Sequence, residues 1–189
     1  MASLSWSPPH GYHDDFLIKA DKNPNTYGLQ ALGIGSQNGE NTVGDILNGA
    51  KEGRVKALLL FAVDLVGWLG KEKVEEALES LDLLVVLDTD HNETVLYTDV
   101  VLPIATFAET DGTFTNFARR VQRIRQAFPP PGEAKTGWEA LTALHIKLGA
   151  QEQYMSSSEV FAEIAAKVPA FQGLSYGKIG LKGAMLSES

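Results

Sequence analysis

Apolar runs of strand length alternate with amphipathic segments through the first half of the chain. Residues 55–64 (VKALLLFAVD) and 83–90 (LLVVLDTD) are apolar runs that end at aspartates, a pattern typical of strands buried on both faces of a parallel sheet. Residues 41–53 and 70–82 carry apolar side chains at helical spacing, which predicts a helix before each strand. A brief third strand is predicted at residues 100–102, after a single helical turn.

The alternation of strands and helices predicts right-handed crossovers and an α/β fold. We expect a three-layer, open, mostly parallel sheet of the Rossmann-like kind, with helices on both faces. Ligands of such sheets bind at the carboxyl ends of the strands. In this chain that edge corresponds to Asp64, residues 88–91 and residues 103–109, so a site is expected there.

Beyond this edge, apolar and polar residues alternate one by one, which predicts a β-hairpin. Its strands are expected within residues 113–117 (TFTNF) and 119–128 (RRVQRIRQAF). Two C-terminal helices are predicted at residues 136–149 and 156–169, the second with a serine cap. The Gly-punctuated tail that follows has no helical period, and we expect it to need a neighbouring surface to be ordered.

The 189-residue chain is long enough to bury one sizeable core, so one domain with appendages is expected. Residues 1–40 contain prolines and no sustained period, and they are interpreted as an irregular N-terminal arm. Residues 41–128 are predicted to form the α/β sheet domain with its hairpin. Residues 129–189 are predicted to supply a linker, the two helices and the Gly-rich tail, packed on the same domain.

Composition excludes several classes of function. With no cysteine, the chain cannot ligate an iron–sulfur cluster, form a thiolate zinc site or use a cysteine nucleophile. The formal charge of −8 argues against a nucleic-acid partner. The longest apolar run, residues 57–69, is broken by Asp64 and is too short to cross a bilayer as a helix. No direct membrane insertion and no secretory signal are predicted, which makes the cytoplasm the expected location.

One stretch, residues 109–122 (ETDGTFTNFARRVQ), combines acids, a Gly-Thr turn, an amide and two arginines just after the third strand. The arginines of this region are Arg119, Arg120, Arg123 and Arg125. They could hold a phosphate or a carboxylate by bidentate contacts. The competing interpretation, which we favour, pairs them with carboxylates of this acidic protein or of a partner chain.

Acidic pairs occur at the same predicted edge, Asp88 with Asp90 and Glu109 with Asp111. Strand-end acids are more often capping or solvated groups than acid–base pairs. Asp88, Asp90 and His91 could meet a cation, but no second cluster of ligands is evident in the sequence. We therefore predict no catalytic residue and no metal site.

An ordered series of motifs in residues 88–149 resembles the molybdopterin oxidoreductase family. The series runs through DTDHNET, TDVVLP, ETDGTFTN, RVQ, PGEAK and a following Trp. The upstream segment FLIKADKNPNTYGLQALG and the downstream segment FAEIAAKVPAFQGLSYGKIGLKG are most similar to the large iron–sulfur subunit of bacterial NADH–quinone oxidoreductase, complex I. The resemblance covers nearly the whole chain and implies an internal domain of such a protein.

This resemblance implies a non-catalytic scaffold or interaction domain of a complex I-like electron-transfer assembly. Iron–sulfur clusters and FMN of the parent assembly would carry electrons from NADH to quinone, while this chain would hold no cofactor and show no activity when isolated. Its partners would be other domains or subunits of the respiratory complex, which would place it at the periphery of the inner membrane. Apolar surface left by absent domains is expected to let the isolated chain form a homodimer.

The alternative is a fragment of a molybdopterin-dependent oxidoreductase, of formate dehydrogenase or nitrate reductase type, that contributes to pterin nucleotide binding. Enzymes of this family commonly have a Gly-x-Asn-Pro-like turn that approaches the pterin nucleotide, and the resemblance implies such a turn after the first strand. Here Val63, Asp64 and Leu65 stand in place of the glycine, amide and proline. Because an aspartate facing a pyrophosphate would repel it, this turn favours the complex I interpretation.

The resemblance also implies which residues occupy the places of the cofactor signature. These vestigial candidates are Asp64, Asp88, Asp90, Gly112, Thr113, Asn116, Arg120 and Gln122. We expect them to be inherited architecture that holds the hairpin to the sheet or to a neighbouring domain.

Overall fold

The computed structural model describes residues 23–35 and 42–187, which fold as two compact units. The described residues of the first unit are 35, 42–106 and 130–137, and those of the second are 23–34, 107–129 and 138–187. Most of the N-terminal arm predicted from the sequence, namely residues 1–22 and 36–40, lies outside the described residues.

The helices of the described residues are α1 (Thr26–Ala31), α2 (Val43–Lys51), α3 (Leu65–Leu69), α4 (Lys71–Glu79), α5 (Gly137–Lys147), α6 (Ser157–Lys167) and α7 (Tyr176–Ile179). The strands are β1 (Ala57–Phe61), β2 (Leu83–Asp88), β3 (Val100–Pro103), β4 (Gly112–Thr115), β5 (Arg120–Ile124) and β6 (Ala184–Met185). Short 3₁₀ segments lie at Glu93–Tyr97, Phe107–Glu109 and Pro169–Phe171.

The first unit contains a parallel sheet in the order β1-β2-β3. Leu60 of β1 pairs with Val86 of β2, which in turn pairs with Val101 of β3. The three strands are those expected from the apolar runs. Parallel pairing through connecting helices, together with the antiparallel sheet and C-terminal helices of the second unit, confirms the predicted α/β class.

The core of the first unit lies where α2, α3 and α4 meet one face of this sheet. Its side chains come from both layers: Leu47, Ala50, Leu60, Val63, Leu65, Val66, Val74, Ala77, Leu78, Leu84, Val86 and Val95. Leu84 and Val86 are fully buried, and each such side chain contributes about 1.5–3 kcal/mol to folding. Thr42 starts α2 with a capping box, because its hydroxyl accepts from the Asp45 N–H while the Asp45 carboxylate accepts from the Thr42 N–H.

The second unit contains an antiparallel sheet in the order β4-β5-β6. Strands β4 and β5 form the predicted hairpin, with Thr115 opposite Val121. Val121 is fully buried and packs with residues of α6, the 3₁₀ segment Pro169–Phe171, α7 and the strand β6 region, which are Phe161, Ala165, Phe171, Ile179 and Leu186. The Gly-rich tail is therefore ordered by pairing with β5.

Four short helices and strands differ from the sequence-based prediction. Helix α1 lies within residues 1–40, where no regular structure was expected, and its N-cap residue Asn25 accepts a hydrogen bond from the Thr115 N–H at 2.8 Å. Helices α3 and α7 and strand β6 were not predicted either. Each of the four has six residues or fewer, too few for a periodic pattern, and each depends on contacts with distant residues.

The close approach of the tail to β5 makes Gly183 a sensitive position. Gly183 has φ +77°, and a Cβ there would lie 2.6 Å from the Val121 carbonyl oxygen. We expect Gly183→Ala to lower the free energy of unfolding by about 2 kcal/mol, because both the backbone angle and the space oppose a side chain. Gly177→Ala in α7 is the matched control, since a Cβ there meets only the Ser175 hydroxyl at 3.9 Å. Urea denaturation of both variants checks this, and equal midpoints would contradict it.

Candidate functional site

The turn after β1 begins at an alanine in an unusual conformation. Ala62 has φ +51°, in the left-handed region that costs a non-glycine residue roughly 1 kcal/mol or more. The N–H of Ala62 donates to the Leu87 carbonyl at 2.8 Å, which extends the β1–β2 pairing by one residue. The chain then turns sharply into α3 at the carboxyl edge of the sheet.

Asp64 caps helix α3. Its Oδ1 accepts from the Gly67 N–H at 3.0 Å and from the Thr94 hydroxyl at 2.5 Å. Asparagine and aspartate are about equally good at such caps, because each offers a side-chain oxygen to the first free N–H groups. The carboxylate of Asp64 is thus part of the local structure of this turn.

The turn after β2 is organised by a second aspartate. Asp88 accepts from the Thr89 N–H at 2.7 Å through Oδ1 and from the Asn92 side-chain amide at 2.9 Å through Oδ2. The Asn92 Oδ1 in turn accepts from the Thr94 N–H at 3.1 Å. Since the Thr94 hydroxyl bonds to Asp64, the structure joins the two predicted strand-end acids in one hydrogen-bonded network. Asp90 lies beyond it as an exposed residue.

A cationic residue that the sequence-based site did not include, Lys135, lies beside the end of β3. Lys135 forms a parallel bridge with Ile104, and its carbonyl accepts from the Ala105 N–H at 2.8 Å. Lys135 is exposed, and its ammonium makes no ion pair with the residues that the structure describes. Two residues later, Gly137 approaches the Phe61 ring so closely that a Cβ would lie 2.4 Å from Cζ. The 135–137 segment therefore runs along the carboxyl edge from β3 towards β1.

The five other predicted residues lie in the second unit, on the β4–β5 hairpin. Gly112 and Thr113 are strand residues of β4. Asn116 forms the turn, because its Oδ1 accepts from the Ala118 and Arg120 N–H groups at 3.0 Å each. The Asn116 side-chain amide also donates to Gln122 Oε1 at 3.3 Å. These polar groups stabilise the hairpin itself.

Arginines of the hairpin mainly contact groups of their own unit. Arg120 donates to the Lys182 carbonyl at 3.3 Å. Arg123 pairs with Asp111 at 3.3 Å and lies 3.9 Å above the centre of the Tyr176 ring, a cation–π contact. Arg123 thus pairs with a carboxylate of this protein, as the favoured interpretation expects, whereas Arg120 contacts a backbone carbonyl.

The 3₁₀ segment that carries Thr94 is anchored to α4 by a charged cluster. The Tyr97 hydroxyl donates to Glu75 Oε1 at 3.1 Å, and Lys71 pairs with the same oxygen at 3.1 Å. The hydrogen bond from Lys71, followed by that from Tyr97, lowers the pKa of the Glu75 carboxyl. Glu75 therefore stays ionised near neutral pH and holds the end of the segment in place.

Among residues 23–35 and 42–187, no group of three or more His, Cys, Asp or Glu side chains is arranged to hold a metal ion. Nor does any helix there have the length and apolar character needed to span a membrane.

Residues 21–147 match the family model for molybdopterin oxidoreductase. The chain belongs to the molybdopterin oxidoreductase family. The resemblance found in the sequence motifs is confirmed at this level.

Curated relatives within this family are named formate dehydrogenases. F420-dependent formate dehydrogenase 2 subunit alpha of Methanococcus maripaludis is 48% identical over 112 residues, which are 58% of this chain and 17% of the relative. Putative formate dehydrogenase YrhE of Bacillus subtilis is 36% identical over 172 residues, which are 90% of this chain and 17% of the relative. The chain thus spans about one sixth of the length of these relatives.

A solved structure with the same fold is acetylene hydratase from Pelobacter acetylenicus. It superimposes with a TM-score of 0.59 at 20% sequence identity, covering 75% of this chain and 20% of that chain. At this identity the similarity concerns the fold alone.

The comparisons do not support the finer resemblance to the large iron–sulfur subunit of complex I, since these relatives are named formate dehydrogenases. The turn that favoured complex I has a different register from the one assumed. Ala62, and not Val63, has the positive φ that suits a glycine, which makes Ala62 the glycine-like position of this turn. Asp64 lies at the N-cap of α3, where aspartate and asparagine serve about equally well. The turn no longer argues against a cofactor-binding relative.

The strained alanine yields a prediction. We expect Ala62→Gly to raise the free energy of unfolding by up to about 1 kcal/mol, because glycine adopts this φ without a steric cost. Ala77→Gly is the matched control: Ala77 is buried within helix α4, where glycine costs about 1 kcal/mol. Thermal or urea unfolding would show shifts of opposite sign, and a destabilised Ala62→Gly variant would contradict the strain.

Proposed function

We propose that this chain is part of a formate dehydrogenase-type molybdopterin oxidoreductase and contributes to binding the pterin nucleotide. Family membership and the names of the curated relatives support this assignment. The nucleotide would bind at the carboxyl edge of the parallel sheet in the first unit. We expect no redox activity from the chain alone, since it covers only 17% of these relatives.

The observation that carries the proposal is the network at the ends of β1 and β2. Parallel sheets bind ligands outside the carboxyl ends of their strands, and Asp64 and Asp88 are joined there by hydrogen bonds through Asn92 and Thr94. Asp88 accepts one of these bonds and one from the Thr89 N–H, each on a different oxygen, and a carboxylate has about four acceptor positions for further donors. Amino and hydroxyl groups of a nucleotide base and ribose are donors of this kind.

The charges of the edge fit a nucleotide that also carries phosphate. Lys135 is exposed beside the end of β3, and an ammonium attracts phosphate oxygens. Asp64 uses a carboxylate oxygen to cap α3 and to accept from Thr94, which offsets part of its charge with hydrogen-bond donors. The carboxylates and the Lys135 ammonium at this edge therefore fit the pterin nucleotide that membership of the family implies.

When bound, a molybdopterin cofactor would supply the two-electron redox chemistry of the parent enzyme. The residues of this unit would bind and orient its nucleotide part. A scaffold without a cofactor is the second candidate function, and the contacts of Asn116 and Arg123 within the hairpin's own unit favour it. Nucleotide binding distinguishes the two.

The test uses guanosine 5′-monophosphate as the probe, with guanosine and adenosine 5′-monophosphate as comparisons. We expect a saturable rise in the melting temperature of the chain with guanosine 5′-monophosphate, since a ligand present at 100 times its Kd stabilises by about 2.7 kcal/mol. Lys135→Ala should weaken guanosine 5′-monophosphate about tenfold but leave guanosine unchanged, because only the phosphate contact is lost.

The matched control is Lys56→Ala. Lys56 directly precedes β1 and so lies at the opposite, amino edge of the sheet, where its loss should not alter affinity. No shift with any of the three probes would favour the scaffold over the nucleotide site.

We also propose that other parts of the parent protein cover the sheet face opposite the helical core. Leu59, Val85 and Val100 are neighbours across the three strands, and Leu59 and Val100 are 39% and 41% exposed. Parallel sheets usually have both faces covered. Without that cover, the face would be available for contact with a second copy of the chain.

The isolated chain is therefore expected to self-associate as its concentration rises, because association removes this apolar face from water. Sedimentation velocity would show the change, and Leu59→Lys should reduce it by placing a charge on the face. Leu148→Lys, at a 79% exposed position of the second unit, is the control and should sediment like the original chain. A monodisperse monomer at all concentrations would refute the prediction.

A further inference from the structure

Thr94 is fully buried although it carries a hydroxyl group. That hydroxyl donates to Asp64 Oδ1 at 2.5 Å and accepts from the Val66 N–H at 3.0 Å. Thr94 is therefore bonded at once to the cap residue of α3 and to the first turn of that helix. Both contacts join residues about thirty positions apart along the chain.

Asn92 continues this connection to the neighbouring strand. Its side-chain amide donates to Asp88 while its carbonyl oxygen accepts from the Thr94 N–H. Asn92 uses both ends of its side chain, so the orientation of the amide is set by one donor and one acceptor. The bonds run from Asp88 through Asn92 and Thr94 to Asp64 without interruption.

This series of hydrogen bonds fixes the separation of the two strand-end acids, Asp64 and Asp88. A carboxylate on a loop has several rotamers, and bonds to fixed partners reduce that freedom before any ligand arrives. A ligand that contacts one or both turns would then lose less entropy on binding.

We propose that Thr94 and Asn92 are positioning residues for the nucleotide site at the carboxyl edge of the sheet. This inference rests on the proposed function, and it assigns a role to two side chains that need not touch the nucleotide. Thr94 holds the Asp64 turn, and Asn92 holds the Asp88 turn in register with it. The specific role belongs to the hydroxyl of Thr94 rather than to its methyl group.

Two substitutions of Thr94 separate these groups. Thr94→Val keeps the size of the side chain and removes the hydroxyl, whereas Thr94→Ser keeps the hydroxyl and removes the methyl group. The affinity for guanosine 5′-monophosphate should fall about tenfold or more in Thr94→Val and stay within about threefold in Thr94→Ser. Both variants are expected to lose stability, Thr94→Ser through lost packing and Thr94→Val through lost hydrogen bonds, so affinity is measured at a temperature at which each variant is fully folded.

Amide exchange provides a measurement without ligand. In Thr94→Val the Val66 N–H loses its acceptor and the Asp64 cap loses a donor, so we expect faster exchange at Val66 and Gly67. In Thr94→Ser both amides should remain protected. Protection of the Leu47 amide, in the core helix α2, should be unchanged in both variants.

Asn92→Asp tests the second residue. The aspartate can still accept from the Thr94 N–H, since Asp and Asn cap equally well, but it cannot donate to Asp88. We expect the nucleotide affinity to fall about tenfold while the Thr94 amide stays protected. Asn48→Asp, an exposed position on α2, is the charge-matched control and should bind as the original chain does.

The outcomes separate the two proposals. If the original chain binds the nucleotide and affinity follows the hydroxyl, the positioning role stands. If the original chain binds but Thr94→Val binds equally well, or if Thr94→Ser loses as much affinity as Thr94→Val, the positioning role is overturned while the nucleotide site remains. If the original chain binds none of the probes, the nucleotide site itself fails and the positioning role with it.

Discussion

Parallel pairing of β1 with β2 is the constraint on which the candidate site depends. It places the carboxyl ends of both strands at one edge, so that Asp64 and Asp88 emerge from adjacent turns although they are far apart in sequence. The buried residues Leu84 and Val86 fix this register, because a shift by one residue would turn them away from the helical core. The polar edge is thus a consequence of the apolar packing beneath it.

Polar residues at this edge have two distinct roles. Asp64, Asn92 and Thr94 are used mainly to hold the turns, through hydrogen bonds that satisfy buried or partly buried groups. Asp90 and Lys135 are exposed and remain available to a ligand. A nucleotide site needs both kinds, because fixed turns present the available groups in a defined arrangement.

Much of the fold was predictable because its larger elements carry their own pattern. The runs that became β1 and β2 are continuous and apolar, and α5 and α6 have helical spacing. Helix α1 and strand β6 were missed, because their few residues are stabilised by contacts such as Asn25 with Thr115. The strand-end acids were found from topology, but Thr94 was missed because nothing in a local pattern marks a threonine whose partners lie about thirty residues away.

The sequence by itself determined the fold class, the family and the edge of the sheet where polar residues collect, since apolar periodicity and ordered motifs are properties of local sequence. Only the tertiary structure decided what those residues do. In the sequence, the charge of Asp64 was interpreted as evidence against nucleotide binding. In the structure, Asp64 caps helix α3. Ala62 adopts a glycine-like φ although its side chain does not favour that angle. It does so because the β1–β2 pairing and the cap on α3 together require this turn.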